Sequence, residues 1–222
     1  SSGPGGGARM DDASAEDVVG FLPMIQNDPP EHTRLRSIFA RSFTSRRITQ
    51  LESEISGIAD QLISDLQNKS SEGRELDLYK DFASPLPVAV IAKLLGIPLE
   101  YYERLKFWNE ALGVGVGGSY TEKQRFNATT EMNDTLSEII EEKRLNPAGD
   151  LISSLVKLAD EDGEQLKPNE LLGFCKLLWI VGNETTTNLI TNAAVVLQEQ
   201  PEILEKLKNN KALIPQFVEE AL

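Results

Sequence analysis

From residue 28 onward apolar side chains recur every three or four positions, and no run of strict alternation between apolar and polar residues is bounded by turn residues. The first spacing belongs to a helix face and the second to a strand, so the pattern predicts a mainly α protein. A helix is expected over 28–44, where Asp28 can cap, Pro29 suits the first turn and Glu31 completes a capping box. The stretch "ITQLESEISGIADQLISDLQ", residues 48–67, carries the helical period, and the more apolar 81–95 closes at "GIP". Residues 98–112 read as helical up to the break "GVGVGGSY", expected to be the most mobile internal loop. A long polar helix over 121–145 and a short one over 150–159 follow. From about 168 to 199 no proline interrupts, and one helix of about 30 residues would run about 45 Å. Pro201 opens another short helix, and 214–222 begins one more, with no internal repeat anywhere.

Composition narrows the function classes. The 222 residues carry 22 Lys plus Arg against 35 Asp plus Glu, a net charge of −13, a sign that repels phosphate backbones and anionic lipid. No nucleic-acid or membrane partner is expected. The strongest apolar run, Leu171 to Val181, contains Lys176 and falls short of the roughly 20 residues a spanning helix needs. The single cysteine, Cys175, cannot form an internal disulfide, and a cytoplasmic location is expected. The opening "SSGPGGGARM" reads as a flexible loop or an expression remnant.

Chemistry concentrates in two places. Between residues 32 and 47 stand Arg34, Arg36, Arg41, Arg46 and Arg47 with no acidic residue among them. A solvated basic face accounts for this island, and so does an anion clamp, because His32 and Arg36, one helical turn apart, can both donate to a carboxylate. The second place is "LLWIVGNETTTNL", residues 177–189, where Leu177, Val181, Thr185 and nearly Asn188 share a face. Gly182 removes a side chain there, and Thr185 can turn its hydroxyl back to the carbonyl of Val181. Glu184 brings a proton-exchanging carboxyl into apolar surroundings expected to raise its pKa. A groove that admits water or a ligand fits this pattern, and a buried polar layer that fixes helix register fits it equally.

"DPPEHTRLR", "VGNETTTNLI" and the terminal "FVEEAL", with connecting text such as "PLPVAVIAKLLGIP" and "DLISSLVKLADEDGEQL", resemble the soluble bacterial and archaeal cytochromes P450, the haem-thiolate monooxygenases. The resemblance runs from about residue 16 to 222. It implies helices C to J and the start of K of that fold, with the N-terminal strands and the C-terminal haem-ligand region absent. Residues 1–27 would be a glycine-rich loop and B–C region, and 28–222 the helical portion of one truncated haem monooxygenase domain.

The resemblance assigns roles residue by residue. His32 and Arg36 match the residues that hold a haem propionate. Val181, Gly182 and Thr185 match the oxygen-binding groove of the long I helix, with Val181 standing where alanine or glycine is usual, so the space above the haem is expected to be tighter. Glu184 and Thr185 match the acid and alcohol that relay protons to dioxygen at the haem. Leu177, Ile180 and Val181 are the expected substrate contacts, and Glu220 matches the glutamate of the ExxR motif. No metal ligand is expected in this segment, Cys175 included, since the family's thiolate lies beyond that motif. The implied function is a segment of a monooxygenase that binds haem and activates dioxygen to hydroxylate a hydrophobic organic substrate. Electrons would come from NAD(P)H through a ferredoxin-like or flavoprotein donor, docked by Arg41, Arg46 or Arg47 on an outward face. The isolated segment is expected to be inactive, and the competing reading is a helical interaction module without haem.

Overall fold

A computed structural model describes residues 22–43, 45–112, 120–161 and 166–222. The expected glycine-rich opening and all of the "GVGVGGSY" break except Tyr120 lie outside the described residues. Those described form helices and no strand, as the apolar period requires. In order they are α1 (Pro23–Gln26), α2 (Glu31–Ser42), α3 (Ser45–Ser71), a π-turn (Tyr79–Ala83), α4 (Pro85–Leu95), α5 (Tyr102–Leu112), α6 (Glu122–Leu145), α7 (Leu151–Glu161), α8 (Pro168–Glu199), α9 (Pro201–Asn209) and α10 (Ile214–Ala221). Short 3-10 turns at Leu99–Tyr101 and Lys211–Leu213 lead into α5 and α10.

Most helix ends follow from local chemistry. Thr121 Oγ1 accepts from Gln124 N at 3.3 Å while Thr121 N donates to Gln124 Oε1 at 2.8 Å, a capping box that starts α6. Asp150 Oδ1 accepts from Ser153 N at 2.8 Å at the start of α7. Gly96 ends α4 at φ +77°, and the amide of Ile97 reaches back to Ala92 O at 2.9 Å. The expected cap at Asp28 does not form. Pro29 precedes Pro30, and a residue before proline is pushed out of helical geometry, so α2 starts only at Glu31 with no side-chain cap bond. Glu31 Oε2 instead accepts from Arg34 Nε at 2.8 Å.

The core gathers around the N-terminal half of α8. Trp179, Phe174 and Leu171 of α8 are buried with Val88, Ala92 and Leu95 of α4, Leu105 and Trp108 of α5, Met132, Leu136 and Ile139 of α6 and Leu155 of α7. Each large side chain so enclosed stabilises the fold by about 1.5–3 kcal/mol. α9 and α10 bury no residue, and Ile214 and Val218 of α10 stand 43% and 39% exposed.

Asp150 sits against Gly96: a Cβ added there would lie 2.3 Å from its Cγ. Its carboxylate is pinned by the Ser153 amide and by Lys143 Nζ at 2.9 Å, so it cannot swing aside without breaking both contacts. Gly96→Ala should therefore lower the unfolding free energy, read from urea titration, by more than the roughly 1–2 kcal/mol that a left-handed backbone costs a non-glycine residue. Gly57→Ala is the control: Gly57 lies within α3 with open space around it, and there the change should stabilise by about 0.5–1 kcal/mol.

Candidate active site

α8 runs unbroken for 32 residues, and its polar midpoint is divided between two opposite faces. On one side Trp179, Asn183 and Thr187, spaced by four, are 2%, 0% and 3% exposed. Asn183 Nδ2 donates to Trp179 O at 2.7 Å, and Thr187 Oγ1 donates to Ala83 O at 3.2 Å. On the other side Val181, Thr185 and Asn188 are exposed, Val181 by 48%, with Asn192 and Val195 continuing the same face. Thr185 Oγ1 donates to Val181 O at 2.8 Å, the back-bond its spacing predicts.

The other expected site residues divide as follows. Glu184 is half-buried beside the open face, and Leu177 is half-buried one turn before Val181. Ile180, expected at the substrate, is half-buried and packs against the core. Gly182 admits a neighbour from behind: a Cβ there would lie 2.8 Å from Ile91 Cδ1 of α4. The missing side chain thus serves close packing of α4 on α8. Glu220 is exposed near the end of α10.

α2 carries the second cluster and docks on the first half of α8. Arg34 Nη2 donates to Glu170 Oε1 at 2.6 Å, and Glu170 Oε2 accepts from the Lys167 amide at 2.8 Å, so one carboxylate both starts α8 and binds it to α2. Phe39 stacks on Phe174 with ring centroids 3.5 Å apart and planes 2° from parallel. On this docked helix His32 is half-buried and Arg36 and Arg41 are exposed. The side chain of Arg46 lies outside the described residues. Arg47 does not face outward as expected. Its guanidinium donates to Ser42 O at 3.3 Å, Gly149 O at 3.3 Å, Asp150 O at 3.1 Å and Ser154 Oγ at 2.7 Å, which ties the start of α3 to the start of α7. Five donors on a rigid fork suit a bundle of carbonyls better than a distant partner.

Sequence reasoning passed over Asn183, Thr187, Glu170 and the structural work of Arg34 and Arg47. The i, i+4, i+8 spacing of Trp179, Asn183 and Thr187 was a usable signal. The long-range partners of Arg34, Arg47 and Thr187 left no local trace. A concavity of about 920 Å³ opens between α3, α4 and the α6–α7 junction and is lined by residues such as Leu51, Ile58 and Ile97. It lies away from the α8 midpoint, and the polar groups of that midpoint define the site better than volume does.

A long helix whose exposed middle carries a hydroxyl, a carboxyl and an apolar shoulder is thus joined to a cationic helix. No family model matches the chain. Known proteins match it well. Cytochrome P450 107B1 of Saccharopolyspora erythraea is 39% identical over 215 residues, 95% of this chain and 51% of that protein. The cytochrome P450 monooxygenase PikC of Streptomyces venezuelae is 39% identical over 199 residues, 90% of this chain and 46% of that protein. The solved structure of cytochrome P450 CYP109Q5 from Chondromyces apiculatus superposes with a TM-score of 0.78 at 36% identity, over 91% of this chain and 49% of that one. The chain belongs to the cytochrome P450 superfamily, and it spans about half the length of the curated relatives it matches. No helix among the described residues is long and apolar enough to cross a membrane.

Cys175 is fully buried in α8, ten residues and about 15 Å along the axis from Thr185. Burial, with the nearby Asp150 carboxylate adding to it, pushes its thiol up to about 12. A raised thiol pKa favours the fold below the ordinary thiol range, about 8.5, and that stability is lost as pH climbs from there toward 12. At pH 8 a thiol-specific disulfide reagent should leave the native chain unlabelled and label it rapidly in urea. Fast labelling of the native chain would refute the buried placement.

Proposed function

We propose that this chain is the dioxygen-facing helical segment of a haem monooxygenase acting on a hydrophobic organic substrate. The observation that carries the reading is the open middle of α8, where Val181 and Thr185 stand exposed on a helix whose opposite face, at Trp179, Asn183 and Thr187, is buried. An apolar shoulder beside a hydroxyl suits the face of a flat, largely apolar group, and the accessible Arg36 and half-buried His32 on α2 suit that group's carboxylates. The residues present therefore fit haem. When bound, haem supplies the binding and reductive activation of dioxygen, with electrons from NAD(P)H delivered by a ferredoxin-like or flavoprotein donor.

The chain's own residues do the rest. Thr185 holds a proton at Oγ1 beside the open face, and Glu184, at the edge of the same face, exchanges protons with solvent. Val181 and Leu177 exclude water and narrow the space for substrate. His32 and Arg36 anchor carboxylates, and Arg41, exposed in the last turn of α2, steers an acidic electron donor.

Two outcomes test this in a full-length, haem-loaded protein carrying the segment. Thr185→Ala should keep haem and lower product per reducing equivalent on the order of tenfold, the balance appearing as peroxide, because the proton route is broken. A mutant as tightly coupled as the parent would end the relay reading. Separately, Arg36→Ala should speed haem loss to a haem acceptor, whereas Arg41→Glu should leave haem in place and slow donor-driven reduction, more at low salt than at high. Salt-independent reduction by the Arg41 variant would exclude steering.

A further inference from the structure

Prolines at 85 and 87 leave a hydrogen-bond deficit where the π-turn meets α4. In a continuing helix the carbonyl of Ala83 takes the N–H four residues on, and that residue is Pro87, which has none. Ala83 is fully buried, so bulk water cannot serve in its place. Thr187 does, donating from Oγ1 to Ala83 O at 3.2 Å across 104 residues of sequence.

Thr187 lies on the rear of α8 with Trp179 and Asn183, and at 3.6 residues per turn it points about 160° away from Thr185 around the axis. Apolar packing is non-directional and tolerates a small roll of the helix, whereas a bond to a carbonyl fixed in another element does not. Ile91 pressed against Gly182 supplies a second stop on the same side. Reacting groups need placement within about 0.5 Å and 10–20°, and a rotation of α8 moves Thr185 and Glu184 directly.

We propose that Thr187, bonded to the carbonyl that Pro87 leaves without a helical donor, is a positioning residue that sets the rotation of α8 and so aims the Thr185 hydroxyl and Glu184 carboxyl. The inference rests on the relay reading of Thr185 given above. It treats the hydroxyl of Thr187 as more than a satisfied core group, since its orientation is read out on the opposite face.

The test uses the full-length, haem-loaded protein with Thr187→Val, which keeps the shape and loses the hydroxyl, Thr187→Ser, which restores it, and Pro87→Ala, which supplies a competing N–H to Ala83 O. Peroxide per reducing equivalent and amide hydrogen exchange in peptides covering residues 180–190 are measured beside Thr185→Ala. Thr187→Val should retain the carbon monoxide band of the parent, raise the peroxide share several-fold and speed exchange in that stretch. Thr187→Ser should return both to parent values, and Pro87→Ala should shift both in the direction of Thr187→Val. If Thr185→Ala uncouples and Thr187→Val does not, the positioning role is wrong and the relay reading stands. If Thr185→Ala stays coupled, the relay reading fails, and the positioning role is overturned with it unless exchange in 180–190 still follows the hydroxyl. Should Thr187→Val fail to fold, Pro87→Ala decides: parent-level peroxide and exchange overturn the proposal.

Discussion

The rear face of α8 buries polar groups, and the bonds that two of them make to backbone carbonyls bear on the placement of the residues in front. Asn183 and Thr187 are enclosed by α4, the π-turn and their neighbours, where an unmade hydrogen bond costs about 1–3 kcal/mol. Their donors go to backbone carbonyls, one within α8 and one outside it. The bonded rear face holds the helix, and the front face carries Thr185 without having to stabilise anything. Division of labour between two sides of one helix lets an exposed hydroxyl sit in a defined position on a helix whose other side is buried.

The same economy shapes the cationic island on and after α2. Five arginines within fourteen residues of an acidic chain suggest a single electrostatic purpose. The structure separates them. Arg34 is consumed by Glu31 and Glu170, and Arg47 by the carbonyls at the start of α7. Arg36 and Arg41 are exposed. Guanidinium forks that find fixed oxygens within reach become joints. The joint at Glu170 also aligns α2 with the start of α8, and the stacked Phe39 and Phe174 rings fix that alignment over the next turn.

Helix existence and order were legible because apolar period and proline or glycine punctuation act within a few residues. Pro168 and Pro201 open helices and Gly96 closes one, each through its own backbone preference. The exceptions have local causes too. Paired prolines displaced the start of α2, and two more prolines made a π-turn and a carbonyl without a helical donor where a plain helix was expected. The motif around Thr185, including its back-bond to Val181, could be read because every atom involved lies within one turn.

What the sequence by itself determined was the set of helices, the residues that share each helical face and the acid–alcohol pair at the centre of α8. What only the tertiary structure decided was which face its neighbours would cover. Periodicity places Val181 with Thr185 and Trp179 with Asn183 and Thr187, yet both faces mix apolar and polar residues, so hydrophobicity alone does not rank them. The outcome turned on contacts made across the chain: Ile91 against Gly182, Ala83 O with Thr187 and Glu170 with Arg34. Such contacts depend on the distance between elements remote in sequence, and no local pattern encodes that distance.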